Sequence, residues 1–481
     1  MRNLFTAAIG LALAVASPAE DYYSREEIPL PPGEVMELGS IALLPEKRVA
    51  VSSRRGDIWI CEGAYGEDLT KVTWKKFAEG LHEPFGMFWR DGWLWLTQRP
   101  EVTKIRDTDG DWEADEFVTV AAPWGINGNY HEYAFGSEPD QNGDIWVALC
   151  LTGSGSAADE SPFRGWGFRI TPKGDAIPVV SGIRSPGGIG FNAKGDTFYC
   201  DNQGLWNGSS SLKHMKPGGF MGNPTGNKYW KLQNVLPQPP EPANESRIET
   251  ERKKFPALVP PAVVFPHGLV GQSPTAVLTD TTEGQFGPFA GQVFVGEQTH
   301  SQVQRVFLEE VKGVYQGAVW HFTEGYRSGI VPMRMAADGT LFVGGTNRGW
   351  ASRGGKPFTF ERTRWTGRVP FEAKEMRITP EGWELTFTKP VDANLAADTA
   401  NYKMAAWTYV YQKTYGSPQV DKVTPKVVKA EVAGDGLSVK LTVEGRVKGH
   451  VHELDYSPLQ SAAGEALWHS KCWYTINEWA P

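Results

Sequence analysis

The chain has 481 residues, enough for two or three domains. With 19 Trp, 54 Gly and 12% aromatic residues, its composition favours short strands and tight turns over helical bundles. A formal net charge of −8 argues against a nucleic-acid partner, which would call for a basic face.

Residues 1–19 read as a secretory signal peptide. Arg2 precedes an apolar run from Leu4 to Val15, and Ala14-Val15-Ala16 and Ser17-Pro18-Ala19 both offer small residues at cleavage spacing. The run is shorter than the roughly 20 apolar residues that span a bilayer. The expectation is an exported protein, periplasmic or extracellular, that does not span the membrane. The four cysteines, Cys61, Cys150, Cys200 and Cys472, allow three disulfide pairings or stand as buried free thiols; their spacing matches neither a zinc site nor a haem attachment.

From residue 41 a hairpin-like pattern recurs: an apolar pair, a turn, then a β-rich run. Ile41–Leu44 leads through Pro45–Arg48 to Val49–Val51. Gly86–Trp89 leads through Asp91-Gly92 to Trp93–Leu96. Tyr133–Gly136 leads through Asn142-Gly143 to Ile145–Val147. Gly188–Phe191 leads through Lys194-Gly195 to Thr197–Tyr199. Thr275–Leu278 is followed by Gly291–Val295, and Met333–Met335 leads through Asp338-Gly339 to Leu341–Val343. Six such units predict a six-bladed β-propeller over residues 20–369, because a small sheet buries both faces only by packing on neighbours around an axis. The Pro-rich stretch 223–262 reads as a long insertion, the kind that is a lid or a disordered segment. From 370 to 481 alternating runs such as Ser438–Val443 continue between Gly turns, predicting a small Ig-like β-sandwich. Phe387–Asp392 with Asn401-Tyr402 resembles bacterial Ig-like modules of secreted enzymes. The whole is an all-β protein. His450 and His452 share one strand face there, without a visible third metal ligand.

Two constellations in the propeller could carry chemistry. His131, in Asn129-Tyr130-His131-Glu132, precedes an innermost strand at the loop that reaches the axial mouth. An imidazole there is either a general base, oriented by Tyr130 or Glu132, or a hydrogen-bonded loop histidine. Arg184 (Arg184-Ser185-Pro186-Gly187-Gly188) and Asp201 (Asp201-Asn202-Gln203-Gly204) bracket one strand pair. They read either as groups at the same mouth, Arg184 being a carboxylate clamp, or as an internal ion pair. His267, beside Pro266 and Gly268, and Arg348-Gly349-Trp350 are further candidates for the mouth. Asp107, Asp109, Asp111 and Asp115 alternate around Gly110. They read as a structural Ca2+ loop, although not an EF-hand, or as a solvated acidic turn.

The propeller resembles the soluble quinoprotein glucose dehydrogenase and sorbosone dehydrogenase family from roughly residue 80 to 350, and within it the dehydrogenase-like propellers of planctomycete and verrucomicrobial type. The resemblance rests on Leu94-Trp95-Leu96-Thr97-Gln98-Arg99, His131 with Phe135-Gly136, Arg184-Ser185-Pro186-Gly187-Gly188, and Asp201–Gly204 with Pro217-Gly218-Gly219. It implies pyrroloquinoline quinone (PQQ) as cofactor, His131 as the base that takes a sugar hydroxyl proton, Arg184 as a quinone ligand and Gln98 in the same pocket. Arg184-Ser185-Pro186 stands where the family has Arg-Asn-Pro, and Gly329–Pro332 stands where its last blade carries basic residues. With no haem site in the chain, the electron acceptor is expected to be separate. Three functions are open: a quinone-dependent sugar dehydrogenase; a cofactor-free polysaccharide lyase or hydrolase using Tyr130, His131 and Arg184; or a glycan-binding propeller stacking sugars on Trp124, Trp206 and Trp350.

Overall fold

The computed structural model describes residues 22–151 and 161–481. The segment read as a signal peptide lies outside the described residues. The chain is a β-propeller. Strands Leu38–Leu44, Met87–Arg90, Ala134–Pro139, Pro186–Phe191, Pro274–Thr279 and Ile330–Met335 neighbour one another in a closed ring. Each begins a meander of antiparallel strands running outward from the axis. In each meander the first two strands are the hairpin legible in the sequence. Asp91 and Gly92, both at positive φ, close one of them with the backbone twist that suits a two-residue hairpin loop. The last meander has only three strands of its own and is completed by Tyr23–Glu27, which pairs antiparallel with Phe358–Trp365.

The ring is held by apolar layers between neighbouring sheets. Ala42, Leu44, Ile58 and Ile60 of the first sheet pack on Met87, Leu94, Leu96 and Ile105 of the second. At several points near the axis the inner strands meet with no room for a side chain. A Cβ on Gly86 would come within 2.7 Å of the Gly136 backbone, and one on Gly187 within 2.0 Å of the Pro274 carbonyl. Glycine is what allows the inner strands to approach this closely.

The fifth meander does not end at its fourth strand. Val314–Glu324 pairs with Lys471–Thr475 and through it with Val451–Asp455, Lys403–Tyr409 and Gln419–Val423, in one eight-stranded sheet. A second sheet, Ala373–Ile378, Gly382–Phe387, Ser438–Glu444 and Lys426–Val432, closes over it. The shared core includes Phe307, Trp320, Trp383, Leu441, Leu454 and Tyr474. Fully buried Arg305 pins the seam: it lies between the Phe289 and Trp320 rings at 4.2 and 4.3 Å and donates to the carbonyls of Ala373 and Lys374. The middle of an outer strand that would otherwise be an exposed edge, Gly317–Val319, is therefore paired.

The Pro-rich insertion is built rather than loose. It contains a 3-10 helix at Pro224–Leu232 and a helix at Ile248–Lys254, and it ends in Pro261–Phe265, the outer strand of the fourth meander. It brackets the two bodies: Arg247 pairs with Asp421, and Arg252 with Glu478. It springs from the end of the propeller opposite the mouth and returns along its side, where Asn223 donates to the Leu205 carbonyl; none of its residues lines the mouth cavity. All four cysteines are free and buried. His452 is fully buried; it accepts from the Val447 amide, and burial pulls its imidazole down to about 3. His450 reaches the Asp421 carbonyl instead. The two rings do not form a shared metal site.

Candidate functional site

Because strands alternate in direction, the loops joining second to third strands, and those joining one meander to the next, emerge at one end of the propeller. They form an axial mouth around a cavity of about 110 Å³, which receives residues from all the meanders, among them Arg54, His131, Ser185, Asn202, Gln298 and Trp350. Beside it opens a groove of about 800 Å³ holding Arg54, Arg55, Arg99 and Arg348 against Glu37 and Glu83. A cavity of about 310 Å³ lies at the seam with the C-terminal body. Its Arg252 and Lys448 are already paired with Glu249 and Glu478, so it offers less free chemistry than the mouth.

His131 is half-buried in the mouth. Its ring meets Tyr130 at 5.2 Å and Trp350 at 6.3 Å, both edge-on. Among the described residues neither ring nitrogen has a hydrogen-bond partner; only its backbone amide is bonded, to Asn129 Oδ1. Burial lowers its pKa below the ordinary imidazole value, and the positive charges of Arg184 and Arg99 lower it further. An uncharged imidazole with free nitrogens can accept a proton at neutral pH. Tyr130 lines the mouth, and its hydroxyl lies 3.5 Å from Arg54. Glu132, in contrast, turns wholly inward. It accepts from the amides of Asn127 and Gly128 and from Ser161, so it does not orient His131.

Arg184 flanks the mouth through its neighbours Ser185 and Pro186, which line it. It is 8% exposed, and among the described residues no hydrogen bond or ion pair reaches its guanidinium, which lies 5.2 Å from the Tyr415 ring centre. The pairing with Asp201 is corrected. Asp201 is fully buried and ion-paired to Lys213 at 2.9 Å. It accepts from Tyr199 and from the amides of Arg184 and Ser185, so it shapes the loop without reaching the mouth. Gln98 is likewise removed from the pocket. Its carbonyl accepts from the His82 amide and its amide donates to Thr103, closing its own loop. His267 sits on an exposed turn of the loop joining the fourth meander to the fifth and does not line the cavity. Trp124 and Trp206 are 4% and 9% exposed and pack in cores; Trp350, at 47%, is the one of the three that faces the mouth.

Sequence reasoning named Arg348 but missed Arg54, Arg99 and the network they form with it. Arg54 donates to Glu83, to the Tyr133 hydroxyl and to the Arg348 carbonyl, joining four meanders. Arg99 also binds Glu83 and holds the carbonyls of Asn129 and Tyr130, which fixes the His131 loop. A signal for these residues did exist. Arg54, Arg99, Asn202, Gln298 and Arg348 all stand one or two residues past the end of a second strand, where a propeller projects side chains into its mouth. Arg348, on the last meander, is ion-paired with Glu37 at 3.0 Å.

The acidic loop lies between the third and fourth strands of the second meander, at the end opposite the mouth. Carboxylate oxygens of Asp107, Asp109 and Asp115 lie within 4.8 Å of one another; Asp111 stands outside this group. Burial pushes the Asp107 pKa up, but the amides of Gly110, Trp112 and Asp109 together outweigh it and hold the carboxyl below its usual value. The three oxygens suit a hard cation in a structural role.

Among solved structures the chain is similar to the PQQ-bound aldose sugar dehydrogenase of Streptomyces coelicolor, with a TM-score of 0.51 and 16% identity, over 73% of this chain and 100% of that one. It is also similar to a glucose dehydrogenase, with a TM-score of 0.50 and 16% identity, over 72% and 99%. At this identity the likeness establishes the propeller fold. A search of curated proteins gives no match. Residues 51–343 match the family model described as "Domain of unknown function (DUF7133)", and the chain belongs to that family.

Proposed function

We propose that the protein is a carbohydrate-oxidising propeller of the quinone-dependent sugar dehydrogenase kind, with His131 as general base. The observation that carries this reading is the half-buried imidazole of His131 at the propeller's mouth, whose ring nitrogens have no partner among the described residues and whose pKa is lowered by burial and by the charges of Arg184 and Arg99. The solved neighbours are sugar dehydrogenases by name, and one holds PQQ. A flat polycarboxylate quinone suits the donors present. Tyr130, Tyr133 and Trp350 give aromatic walls, Asn202 and Gln298 give amides, and among the described residues no carboxylate lines the cavity and nothing hydrogen-bonds the Arg184 guanidinium beside it. Bound there, such a quinone supplies a two-electron acceptor for the hydride of a sugar C–H bond. His131 takes the proton of the adjacent hydroxyl; Arg99 and Arg184 keep its pKa low enough to be ready for it. Trp350 and Tyr130 fix the plane of the imidazole and exclude water from one side.

On this reading the six radial meanders are six blades, residues 370–481 form an Ig-like sandwich, and residues 1–19 direct export. The acidic loop takes Ca2+ for stability, and electrons leave to a separate acceptor. A second reading has one observation in its favour. The groove sets four arginines against two carboxylates, which suits a uronate polymer. Proton abstraction by His131 beside the sugar carboxylate would then lead to β-elimination without a cofactor.

Titration of the purified protein with PQQ in the presence of calcium, followed by absorbance and calorimetry, tests the first reading. Saturable binding with dye-linked aldose oxidation supports it. No binding, together with ultraviolet-absorbing product from a polyuronate, replaces it with the second.

A further inference from the structure

The C-terminal body sends one hairpin loop back to the propeller. Between strands Lys403–Tyr409 and Gln419–Val423, the loop is clamped along its length. Its Gln412 carbonyl accepts from the Trp206 amide, Gly416 donates to the Gly204 carbonyl, and Ser417 donates to that of Gly208. On its other side Tyr411 exchanges backbone bonds with Ser246 of the insertion. Tyr411 is 1% exposed, in a small core with Trp206, Phe220 and Leu258. The contact is too close for side chains at its centre: a Cβ on Gly204 would lie 2.2 Å from Arg184 Nε, and one on Gly416 2.9 Å from Gln203.

At the tip of this rigid loop stands Tyr415, 60% exposed, with its ring over the Arg184 guanidinium. A large aromatic left in solvent on a clamped loop contributes little to the fold. The Arg184 guanidinium is thus held between the Gly204 backbone and the Tyr415 ring, whose centre is 5.2 Å away. Arg184 in turn acts electrostatically on His131.

We infer that Tyr415 is a positioning residue of the mouth: the C-terminal body uses it to hold the Arg184 guanidinium in place for an anionic ligand. The second body is on this view part of the binding machinery rather than a spacer. The inference rests on the mouth being the functional site, and it adds a residue that the propeller alone cannot supply. A cation held against a ring keeps its N–H edges free for a carboxylate, whereas a pairing with Asp or Glu would consume them.

The test uses the whole chain and the variants Tyr415→Ala, Tyr415→Phe and Arg184→Ala. The first readout needs no ligand: the His131 ring is titrated by NMR. Of the two cations that act on it, Arg99 is tied to Glu83 and stays constant across the set. Tyr415→Ala is expected to move the His131 midpoint upward, toward that of Arg184→Ala, while Tyr415→Phe titrates like the parent. The second readout is PQQ affinity, expected to weaken about fivefold in Tyr415→Ala and to be rescued by Tyr415→Phe. If the parent takes up no PQQ, the cofactor reading of the site fails, and the His131 titration alone decides the role of Tyr415. A Tyr415→Ala protein whose His131 titrates like the parent's, and which binds PQQ equally well where the parent binds it, overturns the inference.

Discussion

The two ends of the propeller use carboxylates in opposite ways. At the end opposite the mouth they stitch their own turns: Asp140 accepts from the amides of Asn142 and Asp144, Asp338 from that of Thr340, and the buried Asp280 from that of Thr282. At the mouth end they are buried and hold other segments. Glu83 binds Arg54 and Arg99, Glu132 the 127–128 loop, and Asp201 the 184–185 loop. Glu297 takes the amides of Gln272, Ser273 and His300, and Glu361 that of Arg327. The mouth itself therefore shows guanidinium, imidazole and amide groups, with its negative charge hidden one layer below. The lesson is that one meander can be a cheap turn at one end and a fixed site at the other, according to where its carboxylates point.

Breaking one buried carboxylate should be far costlier than breaking a surface one. Asp201→Ala strands Lys213 in the core, and about 3–5 kcal/mol of stability should be lost, read as a fall in the denaturant midpoint. Asp140→Ala should cost about 1 kcal/mol or less. Equal losses would erase the distinction between the ends.

His131→Ala leaves the scaffold alone and should lower the rate about 10²–10⁴-fold with ligand affinity retained. A variant as active as the parent would remove His131 from the chemistry. The pH profile sharpens the point. Since the folded His131 is held below the ordinary imidazole value, its neutral form is complete above that value. It is lost only as pH falls through the lowered one. The acid limb of kcat/KM should therefore lie below about pH 6.5 and rise in Arg184→Ala; an acid limb that does not respond to Arg184 would separate the two residues. The smallest effect belongs to the far end. Calcium should raise Tm by about 2–4 °C, and Asp109→Asn should abolish the rise. A Tm that ignores calcium would leave the loop as a plain acidic turn.

The inner hairpins were legible in the sequence because their signals are local: Asp91-Gly92 or Asn142-Gly143 between alternating runs specifies a turn whatever lies around it. His131, Tyr130 and Arg184 were legible because they sit in loops entering or leaving an inner strand. Asp201 and Gln98 were misplaced because a polar residue at the same end of a strand can face inward or outward, and only the packing of Lys213 or Thr103 decides which. Tyr415 was invisible, since it meets Arg184 through a chain excursion of more than two hundred residues. The eight-stranded sheet was hidden for the same reason. Val314–Glu324 reads as a blade's outer strand, and nothing near it announces Lys471–Thr475 as its partner.

The strand Tyr23–Glu27 has its only sheet partner in Phe358–Trp365. During synthesis the earliest described strand must wait unpaired until nearly the whole propeller has been made, so ring closure is a late, long-range event. A ring of this design stays open until those two strands meet, and removing Tyr23–Glu27 would leave a raw edge on a meander far along the sequence.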